Sequence, residues 1–245
     1  MDMGEILDGL QPKNPLEEHV FFDTRRTVAL KAARGKLLGI VEDRGVPALD
    51  WCQEMISLHA HYPHAVIGGA VCNGVDRAKN WAVFFGDFGR YHPLLFDQDA
   101  EYATDINIAY KREPLMEVRD TWEDGYLEMP VHWELRRRGY QILLTDRPVV
   151  VQHRDMGTVG EMLSERYHWA RMYGRVRGKE IGATERLKLA IAMPLLPFVL
   201  LFRQYRQLLA KGFPMVKFFK ALPMTFLALT GWALGEQAGY LQAKR

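Results

Sequence analysis

The first 152 residues alternate short apolar runs with amphipathic stretches, and this alternation constrains the fold more than any other feature of the sequence. The apolar runs Lys36–Val41 and Ala65–Val71 read as buried strands. Thr27–Arg34 and Ala48–Tyr62 have the apolar spacing of helices, and Gly35 is placed to end the first of them. Short strands that alternate with helices predict an α/β domain.

The character of the sequence changes near residue 183, where long apolar runs broken by prolines and basic residues begin. Leu189–Phe202 and Ala221–Gly235 are each shorter than the roughly 20 residues that a helix needs to span a bilayer. We therefore predict a domain over residues 1–182 and a helical tail over residues 183–245.

Five basic residues separate the two apolar runs: Arg203, Arg206, Lys211, Lys217 and Lys220. If both runs spanned a membrane, these residues would lie on the side away from a cytoplasmic domain, against the positive-inside tendency. We expect the tail to bind the membrane surface through residues 186–241 as a peripheral or monotopic element. A helical subdomain that is buried on the protein itself is the alternative.

Composition adds three limits. The net charge of +2 over 245 residues gives no argument for nucleic-acid binding. Cys52 and Cys72 lack the spacing of a metal or redox motif, so unpaired thiols are expected. The acidic start of the chain has no apolar stretch of the kind found in secretory signals.

Two parts of the sequence carry candidate chemistry. Glu42, Asp43 and Arg44 follow the strand Lys36–Val41, and ligands of open α/β sheets bind beyond the carboxyl ends of strands. Carboxylates suit a divalent cation, whereas an arginine grips phosphate directly. The alternative is that the two acids only cap the following turn.

The second part is the stretch Trp122–Tyr140, in which Glu128 opens a basic helix that ends near Gly139. The apolar run Pro148–Gln152 then leads to His153. A carboxylate at the start of a helix is placed to stay ionised through the helix dipole. A surface or capping carboxylate is again the alternative.

Together these motifs resemble the acceptor-side half of family 2 inverting glycosyltransferases of the GT-A fold. The resemblance implies an incomplete, Rossmann-like GT-A nucleotide-diphospho-sugar transferase domain, followed by C-terminal apolar and amphipathic helices. It makes Glu128 the general base that deprotonates the acceptor hydroxyl. It also makes Glu42-Asp43-Arg44 the counterpart of the Asp-x-Asp motif, which holds Mg²⁺ or Mn²⁺. Arg44 stands in the third position, so we expect a weakened metal dependence.

The resemblance extends to other segments, although Thr27 and Ala29 depart from its pattern and Asp105 stands where a small residue is common. It assigns donor or diphosphate binding to Arg26, Asn107, His153, Arg166 and Trp169, and metal ligation to Asp43 and His153. Without the resemblance, a buried Asn more often only hydrogen-bonds to the backbone of a turn, and the basic residues of a helix more often only face solvent. His168 replaces the arginine of the processive motif, which favours the transfer of a single sugar.

One part of the resemblance is missing, since residues 1–18 show no strand–helix–strand pattern for binding the nucleotide base. The match covers roughly residues 25–180. Three alternatives are expected. The chain is truncated, or a partner protein or a second copy completes the site, or the chain is an inactive relative.

The expected function is therefore transfer, with inversion, of a sugar from a nucleotide-diphospho-sugar to a lipid-linked or cell-surface glycan. Such a reaction would serve cell-envelope polysaccharide biosynthesis at the cytoplasmic face of the membrane. The alternative is a catalytically inactive pseudo-glycosyltransferase that acts as a membrane-bound binding or scaffolding partner.

Overall fold

The computed structural model describes residues 15–93 and 97–243, with side chains from residue 21 onward. The prediction made for residues 1–18 lies outside the described residues over positions 1–14. The helices are α1 (Pro15–Ala32), α2 (Trp51–His61), α3 (Ala78–Asp87), α4 (Arg112–Glu117), α5 (Glu128–Arg137), α6 (Val159–Glu180), α7 (Ala183–Ala192), α8 (Leu196–Ala210) and α9 (Met215–Gln242). The strands are β1 (Leu37–Val41), β2 (Gly45–Pro47), β3 (Val66–Asn73), β4 (Gln98–Ala100), β5 (Asn107–Lys111) and β6 (Ile142–Gln152). The predicted α/β class is confirmed.

The strands form one mixed sheet in the order β1-β5-β3-β6-β2, and β4 also pairs with β6. Strand β5 runs antiparallel to both of its neighbours, β1 and β3. The long strand β6 pairs with β4 through its first three residues and with β2 through its last three, where Gly45 lies opposite Gln152. This register brings the turn after β1 beside the end of β6.

Helix α2 covers the middle of the sheet and supplies much of the core. Trp51, Met55 and Leu58 of this helix pack with Ile67, Ala109, Leu143 and Val150 of three strands. Leu58 and Ile67 are completely buried. Burial of each such side chain is worth about 1.5–3 kcal/mol, so the α2–sheet layer is a stable base for the loops at its edge.

The chain divides into two compact units. Unit 1 contains the described residues up to Cys72 together with Tyr91–His153, and unit 2 contains Asn73–Arg90 with the described residues from Arg154 on. This division differs from the predicted boundary at residue 182, because α6 packs with the C-terminal helices. The apolar residues of α6 are spaced too irregularly for this packing to be predicted from the sequence.

Helix α9 corrects the predicted length of the second apolar run. It continues for 28 residues through Pro223, and it is the one described helix that is long and apolar enough to cross a membrane. At 1.5 Å per residue it measures about 42 Å, more than the thickness of a bilayer core. The run Ala221–Gly235 alone is too short to span a bilayer, because the helical turns on either side of it are less apolar.

Helices α6 and α9 approach each other closely through glycines. A Cβ atom at Gly235 would overlap the backbone carbonyl of Tyr167, and one at Gly239 would overlap that of Arg171. On the opposite helix, a Cβ at Gly174 would overlap the carbonyl of Glu236. The contact between these helices therefore depends on the absence of side chains.

We predict that Gly235→Ala destabilises unit 2 by about 2 kcal/mol or more, since backbone atoms must shift to admit the methyl group. Gly86→Ala is the matched control, because Gly86 is an exposed position of helix α3 and no atom lies within 4 Å of the added Cβ. That control should be neutral or stabilising by up to about 1 kcal/mol. Thermal and denaturant unfolding compare the two, and an equally tolerated Gly235→Ala contradicts the close packing.

Candidate functional site

The turn after β1 holds the first group of predicted site residues. The amide of Gly45 donates to the carbonyl of Glu42 at 2.8 Å, which closes the turn. Glu42 is partly buried and accepts a hydrogen bond from the side chain of Gln152, whereas Asp43 and Arg44 are exposed. The turn thus presents one anchored carboxylate and two side chains of opposite charge to solvent.

The structure brings His153 to this turn, as the resemblance implied for residues 110 positions apart. The backbone amide of His153 donates to the carbonyl of Arg44 at 2.8 Å, and the His153 side chain is exposed. Arg25 of α1 adds a cation that the sequence analysis missed, with its guanidinium 3.9 Å from the carboxylate of Asp43. Its only signal was its place next to Arg26.

No group of three or more His, Cys, Asp or Glu side chains that could hold a metal is found among the described residues. Mg²⁺ usually takes only one or two carboxylates from the protein and completes its shell with water and substrate phosphates. The oxygen donors of Glu42 and Asp43 fit that mode of binding. The proposed ligation by Asp43 and His153 therefore stays a prediction.

Asn107, to which the resemblance assigns a contact with the donor, makes hydrogen bonds inside the fold. Its Nδ2 donates to the carbonyls of Ala70 and Pro148 at 2.7 and 2.8 Å, and its Oδ1 accepts from Nε1 of Trp51 at 2.8 Å. The residue is completely buried. Both amide hydrogens and the carbonyl oxygen are already used inside the fold, which leaves no donor hydrogen for a ligand.

We predict that Asn107→Leu destabilises unit 1 by about 3 kcal/mol or more, since two buried carbonyls and one indole lose their partner. Asn73→Leu is the control: Asn73 is only partly buried and bonds to the nearby backbone of Val75. Chemical denaturation measures both variants. A stable Asn107→Leu variant that has lost only nucleotide binding would restore the role implied by the resemblance.

Arg26 lies in a cluster of carboxylates beside Glu128. Its guanidinium contacts Asp105 at 2.6 Å and Asp23 at 3.6 Å, and all three side chains are largely buried. Burial alone would lower the pKa of Arg26, but Asp105, Glu128, Tyr126 and Asp23 together raise it. Arg26, to which the resemblance assigns diphosphate binding, is thus engaged inside this cluster, which the sequence analysis missed apart from the unusual Asp105.

Glu128 is the first residue of α5, as predicted, and Gly139 ends the helix with a positive φ of 89°. Its carboxyl is partly buried. Burial, followed by the charge of Asp105, raises the pKa of Glu128 to about 8, although its own backbone N–H and Arg26 lower it. The expectation that the helix start keeps Glu128 ionised is therefore corrected: removal from water outweighs the dipole.

The same environment acts on Asp23, whose pKa burial raises to about 7 against the opposing effect of Arg26. Asp23, Asp105 and Glu128 thus bring three carboxyls to one guanidinium. With all three ionised the cluster would carry an excess of negative charge in a poorly solvated place. Burial first, and repulsion between the carboxylates second, therefore favour the protonated forms of Asp23 and Glu128.

Behind the cluster runs a buried chain of hydroxyl groups. The Tyr126 and Tyr110 hydroxyls lie 2.6 Å apart, and the Tyr110 hydroxyl lies 2.8 Å from Nε2 of His132. Burial lowers the pKa of His132 to about 3, so its ring stays neutral. The hydroxyl of Thr27 accepts from the Tyr126 amide at 2.9 Å, which ties this chain to α1.

We predict that Glu128→Gln removes a pH dependence of stability. The folded pKa of about 8 lies above the ordinary value of 4.5, so folding favours the protonated form. The stability contribution is fully present below pH 4.5 and is lost as the pH rises towards 8, by at most about 1.4 kcal/mol per pH unit. Unfolding measured from pH 5 to pH 9 should show Glu128→Gln gaining on the wild type as pH rises. The exposed Asp124→Asn should show no such trend.

The remaining predicted residues, Arg166 and Trp169, belong to α6 in unit 2. Arg166 is buried and paired with Asp87 and Glu165, and Arg154 also contacts Glu165. Burial alone would raise the pKa of Glu165, but the two guanidinium groups lower it. Arg166 therefore serves an internal ion-pair network, while Trp169 is partly buried.

The chain matches no protein-family model, and no curated protein matches it.

Proposed function

We propose that this chain belongs to an inverting glycosyltransferase that transfers a sugar from a nucleotide-diphospho-sugar to a lipid-linked or cell-surface glycan. The observation that carries the proposal is the environment of Glu128. A carboxyl at the start of a helix, partly buried and beside Arg26, has the chemistry of a tuned general base rather than that of a surface cap.

The raised pKa of Glu128 suits the role assigned to it. A general base works best when its pKa lies near the operating pH, where the ionised form is both present and strongly basic. A pKa of about 8 meets that condition, whereas an ordinary glutamate would be a weak base at neutral pH. In the proposed reaction Glu128 takes the proton from the acceptor hydroxyl while the nucleotide diphosphate leaves from the opposite face of the sugar.

The donor diphosphate would lie at the turn after β1. The exposed Arg44 would hold phosphate oxygens directly, and the exposed His153 would lie beside it. A divalent cation, Mg²⁺ or Mn²⁺, would be held by Asp43 with His153 and would neutralise charge on the departing diphosphate. Arg44 shares that charge neutralisation, so the dependence on the cation is expected to be weak.

The proposed reaction takes place at the cytoplasmic face of a membrane, where lipid-linked acceptors are available. Helix α9, which is long and apolar enough to be membrane-associated, supports this location.

A second candidate function is that of a pseudo-glycosyltransferase that binds or scaffolds at the membrane. The observation that favours it is the use of Arg26, Asn107 and Arg166 inside the protein. The resemblance assigns a donor contact to each of these three residues. Measured nucleotide binding and the effect of Glu128 on turnover decide between the two functions.

We predict that Glu128→Gln lowers the transfer rate by about 10²–10⁴-fold, because it keeps the shape of the side chain but cannot take a proton. The logarithm of kcat/KM for the wild type should rise with pH and level off near pH 8. The assay measures sugar transfer to lipid-linked acceptors, and not hydrolysis of the donor. It uses UDP-, GDP- and dTDP-sugars, each with and without Mg²⁺ or Mn²⁺.

The control is Glu123→Gln, since Glu123 lies five residues before Glu128 and pairs with Arg119 at the surface. It should leave the rate unchanged. Nucleotide binding by calorimetry should be equal in both variants and the wild type. An active Glu128→Gln variant contradicts the role of base, and the binding of nucleotide without turnover favours the second function.

A further inference from the structure

Helices α8 and α9 form an antiparallel hairpin within unit 2. The rings of Tyr205 and Phe218 lie 6.1 Å apart near the turn, and those of Phe198 and Phe226 lie 5.3 Å apart further from it. Gly212, with a φ of 65°, allows the turn that reverses the chain. The order of these contacts shows that the two helices run side by side in opposite directions.

The hairpin exposes large apolar side chains on both helices. Phe198, Val199 and Phe202 share one face of α8, and each is more than half exposed. Val216 and Phe219 at the start of α9 are also more than half exposed. We call these five residues the hairpin patch. Clustered exposed apolar residues mark a surface that binds a partner or a membrane.

The charged residues of the hairpin segment itself are all basic. Residues 187–235 contain six lysines and arginines and no Asp or Glu. Lys211 donates a hydrogen bond to the carbonyl of Arg90. Lys217 forms an ion pair with Asp76 and a cation–π contact with the ring of Trp81.

The other four basic side chains are exposed: Lys188 on α7, and Arg203, Arg206 and Lys220 on the hairpin. Exposed basic residues beside exposed phenylalanines complement an anionic lipid surface, which offers phosphates above an apolar layer.

The packing of α9 argues against a helix that spans the bilayer. One side of α9 lies against α6 through backbone contacts at Gly235 and Gly239. Helix α6 carries eight charged residues, which could not enter a bilayer core with α9 except at a large cost in free energy. With this packing kept, α9 can present only its outer side to lipid.

We propose that the α8–α9 hairpin docks in the plane of an anionic membrane, with the hairpin patch in the acyl boundary and Arg203, Arg206 and Lys220 on lipid phosphates. The inference adds a docking surface and a lipid class to the membrane location in the proposed function. It does not depend on sugar transfer, because lipid binding is measured without a donor or an acceptor.

The test is flotation of the full chain with preformed vesicles of phosphatidylcholine, alone or mixed with phosphatidylglycerol. We expect binding to the mixed vesicles and much weaker binding to phosphatidylcholine alone. The double variant Arg203→Gln/Arg206→Gln should lower the affinity by roughly 30-fold at low salt, from about 1 kcal/mol per basic residue. High salt should weaken the wild type in the same direction.

The double variant Phe198→Ser/Phe202→Ser should abolish binding to both kinds of vesicle. Its control is Ile56→Ser, which removes an exposed apolar side chain from α2 in unit 1 and should leave binding unchanged. Circular dichroism establishes that each variant is folded. Hydrogen exchange of the wild type gives a second readout, with slower exchange over residues 195–220 when mixed vesicles are added.

Three results would overturn the proposal. The first is a wild type that does not float with mixed vesicles, and the second is a Phe198→Ser/Phe202→Ser variant that binds as well as the wild type. The third is a wild type that self-associates in solution and becomes monomeric in that variant, since a second copy would then occupy the hairpin patch. Loss of sugar transfer with lipid binding intact would count against the proposed function alone.

Discussion

The side chain of Asn107 is the interaction on which the arrangement of unit 1 depends. It joins β5 to carbonyls of β3 and β6 and receives the indole of Trp51 from α2. A glycine is required at position 69, because a Cβ atom there would overlap the Asn107 amide and the carbonyl of Pro148. With these strands and α2 held in one register, the end of β1 and the end of β6 meet at the turn that carries Glu42, Asp43 and Arg44.

Much of unit 1 could be predicted from the sequence because its signals are local. The strand Lys36–Val41 and the helix beginning at Glu128 were predicted within a residue, since apolar runs and turn residues mark their ends. The meeting of His153 with the acidic turn came from the resemblance. It is realised in the structure through the pairing of β2 with β6.

What could not be predicted depends on pairings between distant residues. Asp105 differs from the residue expected there, but the sequence does not show that Arg26 turns towards it and away from a ligand. Likewise, Arg166 reads as a solvated cation in a charged helix until Asp87, 79 positions earlier, is placed against it. The backbone contact between α6 and α9 rests on glycines, which give no apolar pattern, so the sequence does not show that α6 belongs to the same compact unit as the C-terminal helices.

The electrostatics of the Arg26 cluster link its structure to its proposed chemistry. Burial raises the pKa of Asp23 and of Glu128, and one guanidinium cannot neutralise these two carboxylates and Asp105 together. A bound cation or a tighter contact between Arg26 and Glu128 would release the proton, whereas further loss of water would hold it. The strength of Glu128 as a base is therefore set first by its burial and then by the negative charges that share Arg26. A change in the charge of Asp105 should alter the proton affinity of Glu128 even though the α5 backbone stays in place.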